Sequence, residues 1–198
     1  MSAVRIFLIA RHGRSLFNID GVVNGDALLD RGLSEQGIAE AQGLGRQISA
    51  VAIDVVVLSP FPRAVQTANI ALAGRDVPHV VEPDLGDIRI GELEGVSLEE
   101  YRSYKKGRSR DEPFPGGESL NAAARRYAEV YERVLGRTES VTFVLCHEIP
   151  VRWAVNAAGG SDDLDAPLHD VANATPYVFD EAGLRRAVEQ MRKLAGPG

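Results

Sequence analysis

Three apolar stretches of the chain each run out onto residues that handle anions. "VRIFLIA" leads into Arg11, His12 and Gly13, "DVVVLSP" is followed by Arg63, and "SVTFVLC" is followed by His147. A phosphate monoester is close to a dianion at neutral pH and presents oxygens suited to planar, paired donors. Arginine supplies that geometry and a charge that does not titrate away. An imidazole titrates near pH ~6.5, so its neutral form is available to attack phosphorus. The product would be a phosphohistidine, dividing one hard displacement into two easier ones. Arg11, Arg63 and His147 would meet the charge on the equatorial oxygens. Gly13 would let the backbone pass close to the ligand with no side chain between.

These residues meet only if the apolar runs are strands of one sheet. Each run is short and continuous, the pattern of strands buried on both faces of a parallel sheet. Helical spacing follows them. "LSEQGIAEAQGLGRQISA" has Ser34 as N-cap with Ile38, Ala41, Leu44 and Ile48 on one face, and "RAVQTANIALA" ends at Gly74. "SLNAAARRYAEVYERVLG" stops at Gly136, "PVRWAVNAAGG" has Pro150 in its first turn, and "GLRRAVEQMRKLAG" closes the chain. "PHVVEPDL" and "TPYVFD" each hold a short strand, and "SLEEYRSYKK" is a short helix capped by Ser97. The alternation predicts a single α/β domain over 1–198, a three-layer α/β/α sandwich on a mostly parallel sheet. Ligands of such sheets sit beyond the carboxyl ends of strands where the strand order reverses, which is where the arginines and histidines fall.

"RHG", "SPFPRAVQTA" and the late strand-end histidine, in that order, resemble the histidine phosphatase superfamily, also called phosphoglycerate mutase-like. "LSEQGIAEAQGLG" is similar to the family's first helix, and "PGGES" is common in its phosphatase branch. The resemblance runs from about Arg5 to Asp180. It implies that His12 is the residue phosphorylated and that Arg11, Arg63 and His147 complete the phosphate pocket. Asn18 matches an asparagine that touches phosphate, and Ser15 joins the same substrate-binding turn. The family's chemistry uses no metal or other cofactor.

Three positions depart from the family pattern. "DIRIGELEG" puts Asp87 where the family's general acid is usually glutamate, one methylene longer, with Glu92 as the alternative acid. Arg14 stands where relatives often have glutamate or glutamine, which adds a cation near the pocket mouth. "CHEIP" places Glu148 directly after His147; it either turns inward, favouring a protonated His147, or faces solvent.

Composition narrows the function classes. The 198 residues are 44% apolar and carry 22 basic against 28 acidic side chains, a net charge of -6. That balance argues against a nucleic-acid or anionic-membrane binder but not against a small anion held by a few arginines. With one cysteine, Cys146, there is no intramolecular disulfide and no thiolate metal cluster. Ile6 to Ala10 is too short for a membrane span or a signal sequence, so a cytoplasmic protein is expected. Cys146 and Trp153 read as core, and His79 and His169 as non-catalytic. No G-x-x-x-x-G-K-[ST] loop occurs.

The segment "YRSYKKGRSR" holds five basic residues and no acidic one between 101 and 110. It reads either as a solvated helix end or as a basic rim drawing anionic substrates, with Arg108 and Arg110 as its test positions. Residues 96–120 are expected to cover the active site. The expected function is hydrolysis of a small phosphorylated metabolite through His12, with Asp87 assisting the leaving group. Phosphoglycerate mutase-type transfer is the nearest rival, disfavoured by a short middle segment. A catalytically silent phosphate-binding or scaffold protein is kept open by the aspartate at 87. A homodimer is left open.

Overall fold

The computed structural model describes residues 4–197. Strands β1 (Ile6–Arg11), β2 (Val55–Leu58), β3 (His79–Val81), β4 (Val141–Cys146) and β5 (Pro176–Asp180) form one sheet in the order β3-β2-β4-β1-β5. β1, β2, β3 and β4 are mutually parallel, and β5 joins the free side of β1 antiparallel. The expected mostly parallel sheet is therefore present, with one reversed edge strand.

The continuous apolar strands are needed because both faces are covered. Phe7, Ile9, Val57, Val144 and Cys146 pack on one side against α5 (Leu120–Leu135), α6 (Glu148–Ala158) and α7 (Glu181–Ala195). Their neighbours Leu8, Ala10, Val56, Leu58, Phe143 and Leu145 pack on the other side against α2 (Glu35–Gln47) and α3 (Pro62–Ala71). β1 leads to the α2 side and the adjacent β4 leads to the α6 side. The connections thus part between β1 and β4, and their carboxyl ends open a crevice.

Two elements have short-range causes the hydropathy pattern does not carry. α1 (Leu16–Asp20) is a single turn closed by a reciprocal cap. The Ser15 hydroxyl accepts from the Asn18 amide, the Asn18 side chain accepts from the Ser15 amide, and Gly21 ends it at φ 67°. α2 buries Gly37, Ala41 and Leu44, with Ile48 buried at its C-cap, while Ile38 is exposed, contrary to the expected face. Glycine is required at 37 because a Cβ there would lie 2.1 Å from the Arg14 carbonyl oxygen. α4 (Leu98–Lys105) starts from the Ser97–Glu100 capping box and forms part of the crevice wall. No helix among the described residues is long and apolar enough to cross a membrane.

Candidate active site

His12 leaves the end of β1 with its amide bonded to the Cys146 carbonyl of β4, so the two strand ends are locked side by side. The ring is buried and its Nδ1 lies 2.6 Å from the Gly13 carbonyl oxygen. Arg63, on the first turn of α3, donates from Nε to His12 Nε2 at 3.0 Å. A guanidinium only donates, so Nε2 carries the lone pair and Nδ1 the proton. That tautomer is the one a phosphorus nucleophile needs.

His147 caps the start of α6 and is fully buried. Arg63 Nη2 donates to its Nδ1 at 3.1 Å, which leaves Nε2–H to donate to the Ser59 hydroxyl at 2.8 Å. The two imidazole centroids are 5.3 Å apart, and Phe61 meets the His147 ring edge-on at 4.6 Å. Burial, then the Arg63 charge, holds both imidazoles well below their usual 6.5.

This sets a pH dependence. Above about pH 6.5 neither the folded nor the unfolded imidazole binds a proton, and stability is flat in this respect. Below it the unfolded chain takes up protons that His12 and His147 do not. Each can then remove up to about 1.4 kcal/mol of stability per pH unit. The urea midpoint is expected to hold from pH 8 to 7 and fall between 6.5 and 5, and His12→Asn/His147→Asn should flatten that fall. A wild-type midpoint unchanged down to pH 5 would contradict it.

Asp87 reaches the same cluster. Its Oδ2 lies 3.1 Å from Arg63 Nη2 and 3.4 Å from His147 Nδ1. The loop that carries it is held from α5. Arg126 donates to the carbonyls of Asp84 and Gly86 at 2.5 and 3.0 Å and to that of Asp87 at 3.2 Å, and it pairs with Glu118. Glu118 belongs to the "PGGES" turn and also accepts from the Arg89 amide, so that motif braces the aspartate loop. Glu92 is exposed and does not line the crevice, so of the two acids only Asp87 is placed to act.

The crevice is a cavity of about 560 Å³, lined at its base by Arg11, His12, Arg63 and Asp87. Arg11 lies at its wall with Nη1 on the Val171 carbonyl (2.8 Å) and on Glu148 (3.0 Å), while its Nε is buried without a protein partner. Burial lowers the Arg11 pKa, and Glu148 opposes that. Glu148 follows neither of the expected courses. It bridges Arg11 and Arg152, each at 3.0 Å, and lines the cavity. Ser15 and Asn18 also line it; the Asn18 oxygen is taken by the α1 cap, leaving its NH₂ as the donor.

Other expectations are corrected. Gly13 is absent from the cavity lining. A Cβ on it would sit 2.5 Å from the Gly37 carbonyl oxygen, so glycine lets β1 press against α2 rather than admitting a ligand. Gly13→Ala is expected to cost about 2 kcal/mol, as overpacking against rigid backbone does, and to shift His12; urea unfolding with a parallel activity assay checks both. Arg14 does not line the cavity either. Arg108 pairs with Glu112 and Arg110 with Asp165, and neither reaches the lining, whereas Arg102 and Lys105 do. His169 sits exposed on the cavity rim, and His79 lies on exposed β3 away from it. The Cys146 thiol is buried and pushed up to about 12, an inert core group. Trp153 packs in the core and donates to Asp165.

Several contributors had no clear signature in the sequence. Asn24 accepts from Arg63 Nη1 at 2.5 Å, and Asp30, its side chain fully buried, accepts the Arg63 amide at 2.9 Å. Thr67 accepts from the Gly13 amide at 3.0 Å and donates to the Arg63 carbonyl, tying α3 to the nucleophile turn. Thr67 stands inside the quoted "SPFPRAVQTA" and was legible there as part of a motif. Asn24 and Asp30 come from an irregular connector whose pairing is set only by the fold. Among the described residues no group of three His, Cys, Asp or Glu is placed to hold a metal ion.

A buried imidazole with its Nε2 on the Arg63 guanidinium, at the strand ends of a three-layer α/β frame, agrees with the family that the sequence resembles. The family model "Histidine phosphatase superfamily (branch 1)" matches residues 7–193, and the chain belongs to that superfamily. It is 31% identical to the 2,3-bisphosphoglycerate-dependent phosphoglycerate mutase of Methylobacterium sp. (strain 4-46), over 88% of this chain and 90% of that protein. It is 32% identical to phosphoserine phosphatase 1 of Hydrogenobacter thermophilus, over 78% of this chain and 76% of that protein. The crystal structure of the α-ribazole phosphatase from Shigella flexneri superposes with a TM-score of 0.75, covering 87% of this chain and 89% of that one at 21% identity.

Proposed function

We propose that the chain hydrolyses phosphate monoesters of small metabolites through a phosphohistidine on His12. The observation that carries this reading is the His12 tautomer, with Nδ1–H spent on the Gly13 carbonyl and the Nε2 lone pair held beside Arg63. A phosphoryl group entering the site takes over the Arg63 N–H, and Nε2 attacks phosphorus in line with the ester oxygen. The N–P bond forms as the P–O bond breaks, and Asp87 passes its proton to the leaving alkoxide. Water then attacks phosphorus, gives its proton to the Asp87 carboxylate, and the N–P electrons return to His12. Arg11 and Arg63 hold the equatorial oxygens throughout, and His147 joins them where the phosphoryl group displaces Arg63 from its Nδ1 and that nitrogen gains a proton. These fixed charges are the basis for proposing metal-independent chemistry. Residues 96–120 act as cover, supported by the position of α4 residues in the cavity wall. A cytoplasmic setting belongs to the same proposal.

Return of the phosphoryl group to substrate is the second reading, favoured by the mutase alignment. Inorganic phosphate release measured beside 2- and 3-phosphoglycerate interconversion separates the two. Hydrolysis predicts phosphate release across a metabolite panel, with interconversion slower by at least tenfold. The opposite ratio would give the site to transfer. In the first, single-turnover step, phosphorylation of His12, Asp87→Asn is expected to slow alkyl esters about 100-fold and p-nitrophenyl phosphate less than tenfold, because nitrophenolate leaves without a proton. Equal losses on both would remove Asp87 from the acid role.

A further inference from the structure

The cavity is much larger than a phosphoryl group needs. Its volume of about 560 Å³ falls in the range of roughly 300–1,000 Å³ that holds whole small molecules. Its charged lining is mostly self-neutralised. Arg11 pairs with Glu148, Arg63 with Asp87 and Asp30, and Arg152 with Glu148 and Asp165. Two lining cations do not follow this rule. Arg102 and Lys105, one helical turn apart on α4, make no ion pair and no side-chain hydrogen bond among the described residues, and both border the cavity.

Their position near the carboxyl end of α4 suits cations by the helix dipole, but it does not require the side chains to border the cavity. Arg102 is exposed at the cavity edge, whereas Lys105 is half-buried, with Nζ 4.6 Å from the Tyr101 ring centroid. Burial lowers its pKa; Asp165 opposes this from beyond ion-pair distance and does not offset it. Asp170, the lining carboxylate without an ion-pair partner, is exposed and lies beyond 4 Å of either cation. A partly desolvated cation left unpaired, as Lys105 is, costs stability. An anion brought in by a ligand would remove that cost.

We propose that Arg102 and Lys105 form a second anion subsite, so that the substrate carries a carboxylate or a second phosphate besides the phosphoryl group held at His12. The proposal rests on the phosphate-pocket reading and extends it to the leaving group. The side chains of Arg108 and Arg110 are committed to Glu112 and Asp165 and take no part.

Non-hydrolysable ligands test the subsite without turnover. Calorimetry would compare alkylphosphonates of three to six carbons with ω-phosphonocarboxylates and α,ω-diphosphonates of matched length, at low salt. At one or more lengths a ligand with the second anion is expected to bind at least tenfold tighter than its alkyl partner. The carboxylate and phosphonate arms show which anion the subsite prefers. Arg102→Gln/Lys105→Gln should erase the tenfold advantage and weaken the simple alkylphosphonates by no more than about threefold. A persistent advantage in that variant would overturn the assignment. Equal affinity of matched ligands at every length would overturn the subsite and leave the phosphate pocket standing. Failure of every phosphonate to bind would overturn both.

Discussion

Replacing His12 by alanine is expected to reduce phosphate release from p-nitrophenyl phosphate at least ~10⁴-fold while leaving inorganic phosphate binding within about tenfold of wild type. The two effects separate because the nucleophile and the charge that holds the phosphoryl group reside on different side chains. His12 contributes one lone pair, whereas Arg11 and Arg63 provide the donors. Removing a nucleophile outright typically costs several orders of magnitude in kcat. Loss of binding in step with loss of rate would mean that the imidazole is a phosphate ligand only. Binding without any turnover in the wild type would favour the catalytically silent alternative that Asp87 leaves open.

Arg63→Ala is expected to be the most damaging single substitution for stability and rate together. Its side chain is 4% exposed and touches His12, Asn24, Asp30, Asp87 and His147. Removing it leaves Asp30 buried without a cation, and breaking a buried pair from one side costs about 3–5 kcal/mol. A rate loss of roughly 10²–10³ or more should accompany it, the scale for removing an oriented donor from a developing oxyanion. Arg63→Lys restores the charge but not the fork that joins both imidazoles to Asp87. It should recover part of the urea midpoint and leave kcat at least tenfold low. Full recovery of kcat by lysine would show that the geometry of the fork is unimportant.

The strands were legible because burial on both faces leaves a continuous apolar run, and the arginines and histidines were legible because they stand where those runs stop. Ser34, Ser97 and Gly136 marked helix ends through local chemistry that needs no tertiary context, whereas α3 stops at Ala71, three residues before the expected Gly74. α1 was not legible: five residues give no helical period, and only the Ser15–Asn18 exchange makes the turn. The inner face of α2 was misread at Ile38 because the close approach of β1 and α2 demands glycines at 13 and 37, and hydropathy does not record that contact. Within the site, Asp87 and Glu92 could not be ranked from the sequence alone, since the choice depends on how Arg126 and Glu118 anchor the loop. The basic segment gave the right helix but the wrong side chains. Arg102 and Lys105 border the cavity, while Arg108 and Arg110 are neutralised by Glu112 and Asp165. Glu148 could not be placed because its partners, Arg11 and Arg152, lie on different elements that meet only in the folded chain.

The most direct measurement is rapid alkaline quenching of the enzyme during turnover of a phosphate ester labelled on phosphorus, followed by peptide mapping. The site described here predicts a base-stable, acid-labile label on the peptide containing His12, absent from His12→Ala and accumulating further in Asp87→Asn when nitrophenyl phosphate is the donor. A label on another residue, or sustained phosphate release with no covalent phosphoenzyme at any quench time, would contradict it.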